Sequence, residues 1–167
     1  MYFGFITSNL GKLEELSKRI TPLGHEVTQL MISYPELQVD TIEEVAKFGL
    51  NWIGKYVLNT KKPDEDQNTL FKDIEIIILE DSDIFVHALN NFPGVYSKFV
   101  LKTVGYQSIL KLLKDNSDRT AHFESCIALA KLVSETEKKD GGFYLDNIQF
   151  FKGICEGKIM HKPSGKM

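Results

Sequence analysis

The spacing of apolar positions changes several times along the chain, and each change marks an element. Tyr2 to Ile6 is a continuous apolar and aromatic run closed by small polar residues, the pattern of a buried strand. From Lys12 to Leu23 the apolar positions Leu13, Leu16 and Ile20 recur at helical spacing, so the chain opens as strand, tight polar turn and helix. Val27, Leu30 and Ile32 predict a second strand over Glu26 to Ile32, followed by an extended loop at Tyr34-Pro35-Glu36-Leu37-Gln38. Thr41 and Glu44 are spaced as a capping box. The helix they open is expected to reach Val57, with Val45, Phe48, Trp52, Ile53 and Tyr56 on its inner face. Asn59 to Asp73 is polar, and its Asp64-Glu65-Asp66 run reads as solvated surface because no opposite charge faces it.

Ile74 to Leu79 is almost pure Ile and Leu, as a central strand covered on both faces should be. Glu80-Asp81-Ser82-Asp83 follows, then Ile84 to Leu89 and a turn at Asn90 to Gly94. Tyr96 to Lys114 is helical, with an interruption near Gly105. Arg119 to Leu132, Gly142 to Phe151 and Ile154 to Met160 predict strands joined by hairpins, the first through a loop at Ser134 to Gly141. An α/β order that gives way to long antiparallel strands predicts a mixed sheet with helices packed around it.

Composition narrows the class. A chain of 167 residues is about one domain and long enough to bury a core without staples. A net charge of -3 argues against broad electrostatic binding to nucleic acid, but not against a small anion held by local donors and a metal. Cys126 and Cys155 form no metal-ligand spacing and no CxxC, and apolar neighbours suggest that both are buried thiols. The N-terminus lacks the charged region and cleavage site of a signal peptide, and no apolar run approaches a membrane span. The expectation is a cytoplasmic protein with neither a membrane nor a nucleic acid as partner.

Two clusters could carry chemistry. Thr7-Ser8-Asn9-Leu10-Gly11-Lys12 lies at the first strand-to-helix junction, where first-turn N–H groups and the positive end of the helix dipole face outward. Hydroxyl and amide side chains and the Lys12 charge would suit phosphate oxygens. The spacing is not that of a Walker loop, and Ser8 or Asn9 could simply cap the helix. Glu80-Asp81-Ser82-Asp83 lies after the most apolar strand, the end where open α/β sheets bind ligands. Its carboxylates repel one another unless a cation balances them, which points to Mg2+ as readily as to an acidic turn. If the strand continues, period-2 geometry splits the cluster between two faces. Glu36 alone reads as an exposed acid, and Asn91 to Tyr96 as a rigid Pro-Gly turn. No G-x-S-x-G elbow exists, and His25, His87, His122 and His161 fall in no triad-like setting. His122, on an apolar strand, reads as a satisfied core or edge residue.

Taken in order, these pieces resemble the inosine-triphosphatase family. Thr7-Ser8-Asn9-Leu10-Gly11-Lys12 matches its [ST]-x-N-x-x-K signature, and Tyr34 to Gln38 with Thr41 to Trp52 matches its Pro-Glu loop and capped helix. Glu80-Asp81-Ser82-Asp83-Ile84 matches [DE]-D-[ST]-x-L, and Pro93-Gly94-Val95-Tyr96 matches P-G-x-Y. Arg119, Ala121 and Phe123 fit the start of the long strand, and Glu44 to Trp52 is worded most like archaeal members. The resemblance implies an elongated mixed sheet with flanking helices and two lobes around a nucleotide cleft, in a single domain over residues 1–167 that commonly forms homodimers. It implies that Thr7, Ser8, Asn9 and Lys12 hold a triphosphate, that Ser82 contacts the nucleotide, and that Glu36 and Asp81 bind Mg2+. Asp81 and Lys12 are then the catalytic groups, Asp81 as general base. The reaction implied is cleavage of deaminated purine nucleoside triphosphates such as ITP, dITP and XTP to the monophosphate and pyrophosphate. Two departures accompany the match. Asp83 stands where the family usually has glycine, and the chain ends before the family's G-F-G-[YF]-D-P segment and the Lys and Ser-His-Arg that recognise the base. The expectation is therefore a C-terminally shortened member, the alternative being a catalytically impaired nucleotide-binding or dimerising remnant. The related Maf-like group fits less well, because its signature prefers an arginine pair where this chain has Gly11-Lys12.

Overall fold

In a computed structural model, residues 1–35, 37–58, 71–134 and 143–163 are described. The expected metal ligand Glu36, the Asp64 to Asp66 run expected as solvated surface, and the loop after Ser134 lie outside them. Five strands form a mixed sheet in the order β2-β1-β3-β4-β5, with helices flanking it. The strands are β1 (Tyr2–Ile6), β2 (Glu26–Leu30), β3 (Ile76–Val86), β4 (Thr120–Ser134) and β5 (Phe143–Lys158). The helices are α1 (Leu10–Ile20), α2 (Ile42–Ile53), α3 (Ser97–Thr103) and α4 (Tyr106–Leu112).

The chain divides into two compact units. The first comprises Met1–Gln38, Glu43–Glu80 and Ile127–Phe151. Here β1 pairs in parallel with both β2 and β3, Ile6 standing opposite Leu30 on one side and Leu79 on the other. The parallel pairs are what strand–helix–strand connections produce. The centre of β1 is close-packed: a Cβ at Gly4 would lie 2.6 Å from Leu30 Cδ1 and 2.9 Å from Ile74 Cδ1. α1 ends at Ile20, earlier than its periodicity suggests, because Pro22 follows in a short 3-10 turn and Gly24 takes a left-handed φ of 79°. The buried stripe of α2 is Ile42, Ala46, Leu50 and Ile53, rotated from the expected one. Of the expected face only Ile53 is buried; Val45, Phe48 and Trp52 are half-buried and Tyr56 is exposed. Apolar residues cover more than half of this helix, so periodicity alone does not fix its orientation. Beyond Ile53 the backbone widens into a π-helical turn over Gly54–Leu58.

The second unit comprises Val39–Ile42, Asp81–Cys126 and Lys152–Met167. Its core gathers Val86, Leu113 and Ala121, with Ile84, Leu89 and Ile159 packed against them. The Phe85–His122 stack and the His87–Thr120 hydrogen bond show β3 and β4 running antiparallel. Ile159 donates to Arg119 O at 2.8 Å and Gly157 lies beside Ala121 O, so β4 and β5 are antiparallel too. Arg119 ties the ends of the unit together, donating from Nε to Ile159 O at 2.7 Å and from its guanidinium to Leu113 O at 3.1 Å. The helical segment breaks at Gly105, whose φ is 71°.

Three further expectations change. β2 stops at Leu30 rather than Ile32. β5 is one strand where two with a hairpin were expected: Gly153 keeps an ordinary φ in open space, so it forces no turn. Cys126 is buried, but Cys155 is exposed because it lies on β5, at the edge of the sheet. Phe151, on the same strand, is 51% exposed, while Phe150 is half-buried with the Lys47 ammonium 5.5 Å from its ring centre.

Candidate active site

The parallel pairing of β1 and β3 sets the first part of the site. Thr7 follows Ile6 at the carboxyl end of β1, and Glu80 follows Leu79, the β3 residue that pairs with Ile6. Asn9 then caps α1. Its Oδ1 accepts from the N–H groups of Gly11 at 2.9 Å and Lys12 at 3.3 Å, and its own N–H donates to Thr7 Oγ1 at 3.0 Å. Gln29 Nε2 fastens the turn from β2 by donating to Thr7 O at 2.8 Å. The capping role that sequence left open for Asn9 is real. It consumes Oδ1, which leaves the amide NH2 as the group Asn9 can offer outward. Ser8 is exposed beside it.

The Lys12 ammonium lies 2.5 Å from Glu80 Oε2, and the Glu80 side chain is only 12% exposed. Thr7, Asn9, Lys12 and Glu80 thus meet in the first unit. Glu80 is the member that sequence reading placed in the acidic cluster without a partner. Its link to Lys12 depends on strand register, which no local pattern reveals.

β3 does not end at Leu79; it continues unbroken through Glu80-Asp81-Ser82-Asp83 to Val86. In the second unit Asp81 and Ser82 are half-buried and Asp83 is buried, 5% exposed. Alternation puts Asp81 and Asp83 on one face and Ser82 on the other. The chain makes a 3-10 turn over Gly94–Tyr96, and Pro93 just before it bridges to Phe85. Gly94 has φ 54°, and a Cβ there would come within 3.1 Å of the Phe85 ring. Ser97 secures the turn, donating to Gly94 O at 2.6 Å and accepting from Ile84 N at 3.1 Å.

The sequence model of the Ham1 family matches residues 3–167. The chain belongs to the Ham1 family. Among curated Ham1 relatives it is 42% identical over 165 residues to the dITP/XTP pyrophosphatase of Thermococcus kodakarensis, covering 99% of this chain and 73% of that protein. It is 36% identical over 162 residues to the dITP/XTP pyrophosphatase of Pyrococcus horikoshii, covering 96% and 71%. The fold is that of solved Ham1 structures. A HAM1 protein from Coxiella burnetii aligns at a TM-score of 0.67 with 22% identity, over all of this chain and 77% of that one. The Staphylococcus aureus Ham1 protein aligns at 0.65 with 20% identity, over all of this chain and 76% of that one. Among the described residues, no helix of this Ham1 chain is long and apolar enough to cross a membrane.

Proposed function

We propose that this chain is a nucleoside triphosphate pyrophosphatase acting on deaminated purine nucleotides such as dITP, XTP and ITP. The observation that carries the reading is the 42% identity to a dITP/XTP pyrophosphatase across 99% of the chain. In this reading Thr7, Ser8, Asn9 and Lys12 hold the triphosphate and Ser82 contacts the nucleotide. Lys12 exchanges its bond to Glu80 for phosphate oxygens, which have more charge to offer. Asp81 accepts a proton from water as the water oxygen bonds to phosphorus, and the phosphoanhydride that joins the nucleoside monophosphate to pyrophosphate breaks. Such chemistry asks a protein mainly for positioning and charge neutralisation. A homodimer in the cytoplasm belongs to the same reading.

Mg2+ fits the donor chemistry, because the half-buried Asp81 offers hard carboxylate oxygen, the ligand type this cation takes. Glu36 and Asp81 would hold it, and it would supply charge neutralisation on the phosphates. A carboxylate with an ordinary pKa near 4 is a weak base. The orientation of water by Asp81 therefore contributes alongside its basicity.

Purified protein incubated with ITP and Mg2+ should release IMP and pyrophosphate. Orthophosphate as the sole product would overturn the reading, and triphosphate binding without turnover would leave a nucleotide-binding protein in its place.

A further inference from the structure

Two histidines distant in sequence meet in the second unit. His87 follows the last residue of β3 and His122 lies on β4, with His87 Nε2 2.7 Å from His122 Nδ1. The pairing of Arg119 with Ile159, and of Ala121 beside Gly157, puts Glu156 of β5 opposite His122. His87, His122 and Glu156 each offer a ligand atom, all within 4.8 Å of one another. Phe85 stacks on the His122 ring at 5.1 Å and 5°, which holds that imidazole in place.

The surrounding hydrogen bonds decide which ring nitrogens carry protons. Asp118 Oδ1 accepts the Thr120 N–H at 2.9 Å and the Thr120 hydroxyl at 2.6 Å. These two bonds, the hydroxyl first, hold the Asp118 carboxyl below the usual carboxylate range, so it is an acceptor only. The Thr120 hydroxyl proton is thereby committed to Asp118. Thr120 Oγ1, 2.9 Å from His87 Nδ1, must accept from that ring. A neutral His87 then has its lone pair on Nε2. On the other ring, His122 Nε2 lies 3.1 Å from Glu124 Oε1, a carboxylate oxygen placed to accept from it. That places the lone pair of a neutral His122 on Nδ1. Both networks therefore turn lone pairs toward each other across 2.7 Å, a contact that neutral rings resist and a cation between them relieves.

We propose that His87 Nε2, His122 Nδ1 and the Glu156 carboxylate form a site for a divalent transition-metal ion of the Zn2+ type. It uses residues other than the carboxylates assigned to Mg2+. Two imidazoles and one carboxylate are a Zn2+ donor set, whereas Mg2+ prefers oxygen throughout. The orienting pattern is the one metal-ligating histidines show, each donating its remaining N–H to an oxygen acceptor. Here those acceptors are Thr120, backed by Asp118, and Glu124. Bonds of about 2.1 Å to a tetrahedral ion would part the two nitrogens to roughly 3.4 Å. The exposed His87 side chain can make that sub-ångström shift. Exposure of His87 and Glu156 leaves the fourth position to water.

The test is calorimetric titration of the EDTA-stripped full chain with Zn2+, repeated with Co2+ to read its visible absorption. The site predicts one saturable ion per chain, tetrahedral Co2+ bands and no displacement by millimolar Mg2+. His87→Ala and Glu156→Gln alter exposed side chains, so their folding is checked simply by circular dichroism. Each should weaken Zn2+ binding by at least the roughly 10- to 100-fold that loss of an orienting partner costs. Thr120→Val removes no ligand and should weaken it by about 10-fold through the His87 tautomer. No saturable binding, or binding unchanged in both folded ligand variants, overturns the proposal. So does a spectrum in which the two imidazoles share a proton and ignore added Zn2+.

Discussion

The Lys12 ammonium is paired with Glu80 on the neighbouring strand before any ligand arrives. A triphosphate that takes Lys12 must therefore outcompete a carboxylate, which its larger charge allows. A hydrogen bond to a charged group is worth about 1.5–3 kcal/mol, or roughly 10- to 150-fold in affinity. Lys12→Ala should raise KM for dITP by about that factor, read from steady-state rates, while thermal unfolding shows the protein still folded. At the same scale, two glycines separate backbone strain from crowding. Gly24 has φ 79° with nothing within 4 Å of a built Cβ, whereas Gly94 has φ 54° with the Phe85 ring 3.1 Å away. Gly24→Ala should cost about 1 kcal/mol for the left-handed backbone. Gly94→Ala should cost about 1–3 kcal/mol more, because it adds overpacking; urea unfolding compares the two. The Asn9 cap was legible because an amide stood just ahead of a helical apolar pattern. The partners of Glu80 and His87 were not, because strand register brings them together from far along the chain.

Among the elements, β3 and β5 show what local pattern conveys and what it misses. The apolar run Ile74 to Leu79 announced a central strand correctly. The polar tetrad after it suggests an end, yet β3 runs on to Val86, with Asp81 and Ser82 half-buried and Asp83 buried on the continuing strand. β5 reads in the sequence as two strands, Gly142 to Phe151 and Ile154 to Met160, yet one edge strand runs through Lys152 and Gly153. The same contrast sets stability. Leu79 is fully buried on β3 and Ile154 is 65% exposed on β5. Leu79→Ala should cost about 2–5 kcal/mol from lost burial and a cavity. Ile154→Ser should change stability by no more than about 0.5 kcal/mol. Equal losses in denaturant titrations would contradict the assigned burial.

For the molecule as a whole, the sheet and its flanking helices followed from the order of patterns, parallel first and antiparallel later. The packing face of α2 did not, since its apolar residues wrap too far round the helix to select one orientation. Function was legible only as a succession of motifs, none decisive alone: a capped helix, an acidic strand segment and a Pro-Gly turn each have ordinary structural explanations. Membership of the Ham1 family gives them a common reading, in which the proposed proton acceptor is Asp81. The decisive measurement is pyrophosphate release from dITP by the parent chain and by Asp81→Asn, with dITP binding followed in parallel. A general base contributes about 100- to 10,000-fold to rate. For Asp81→Asn, kcat should fall by that factor with triphosphate binding retained. Turnover of Asp81→Asn at the parent rate would contradict it.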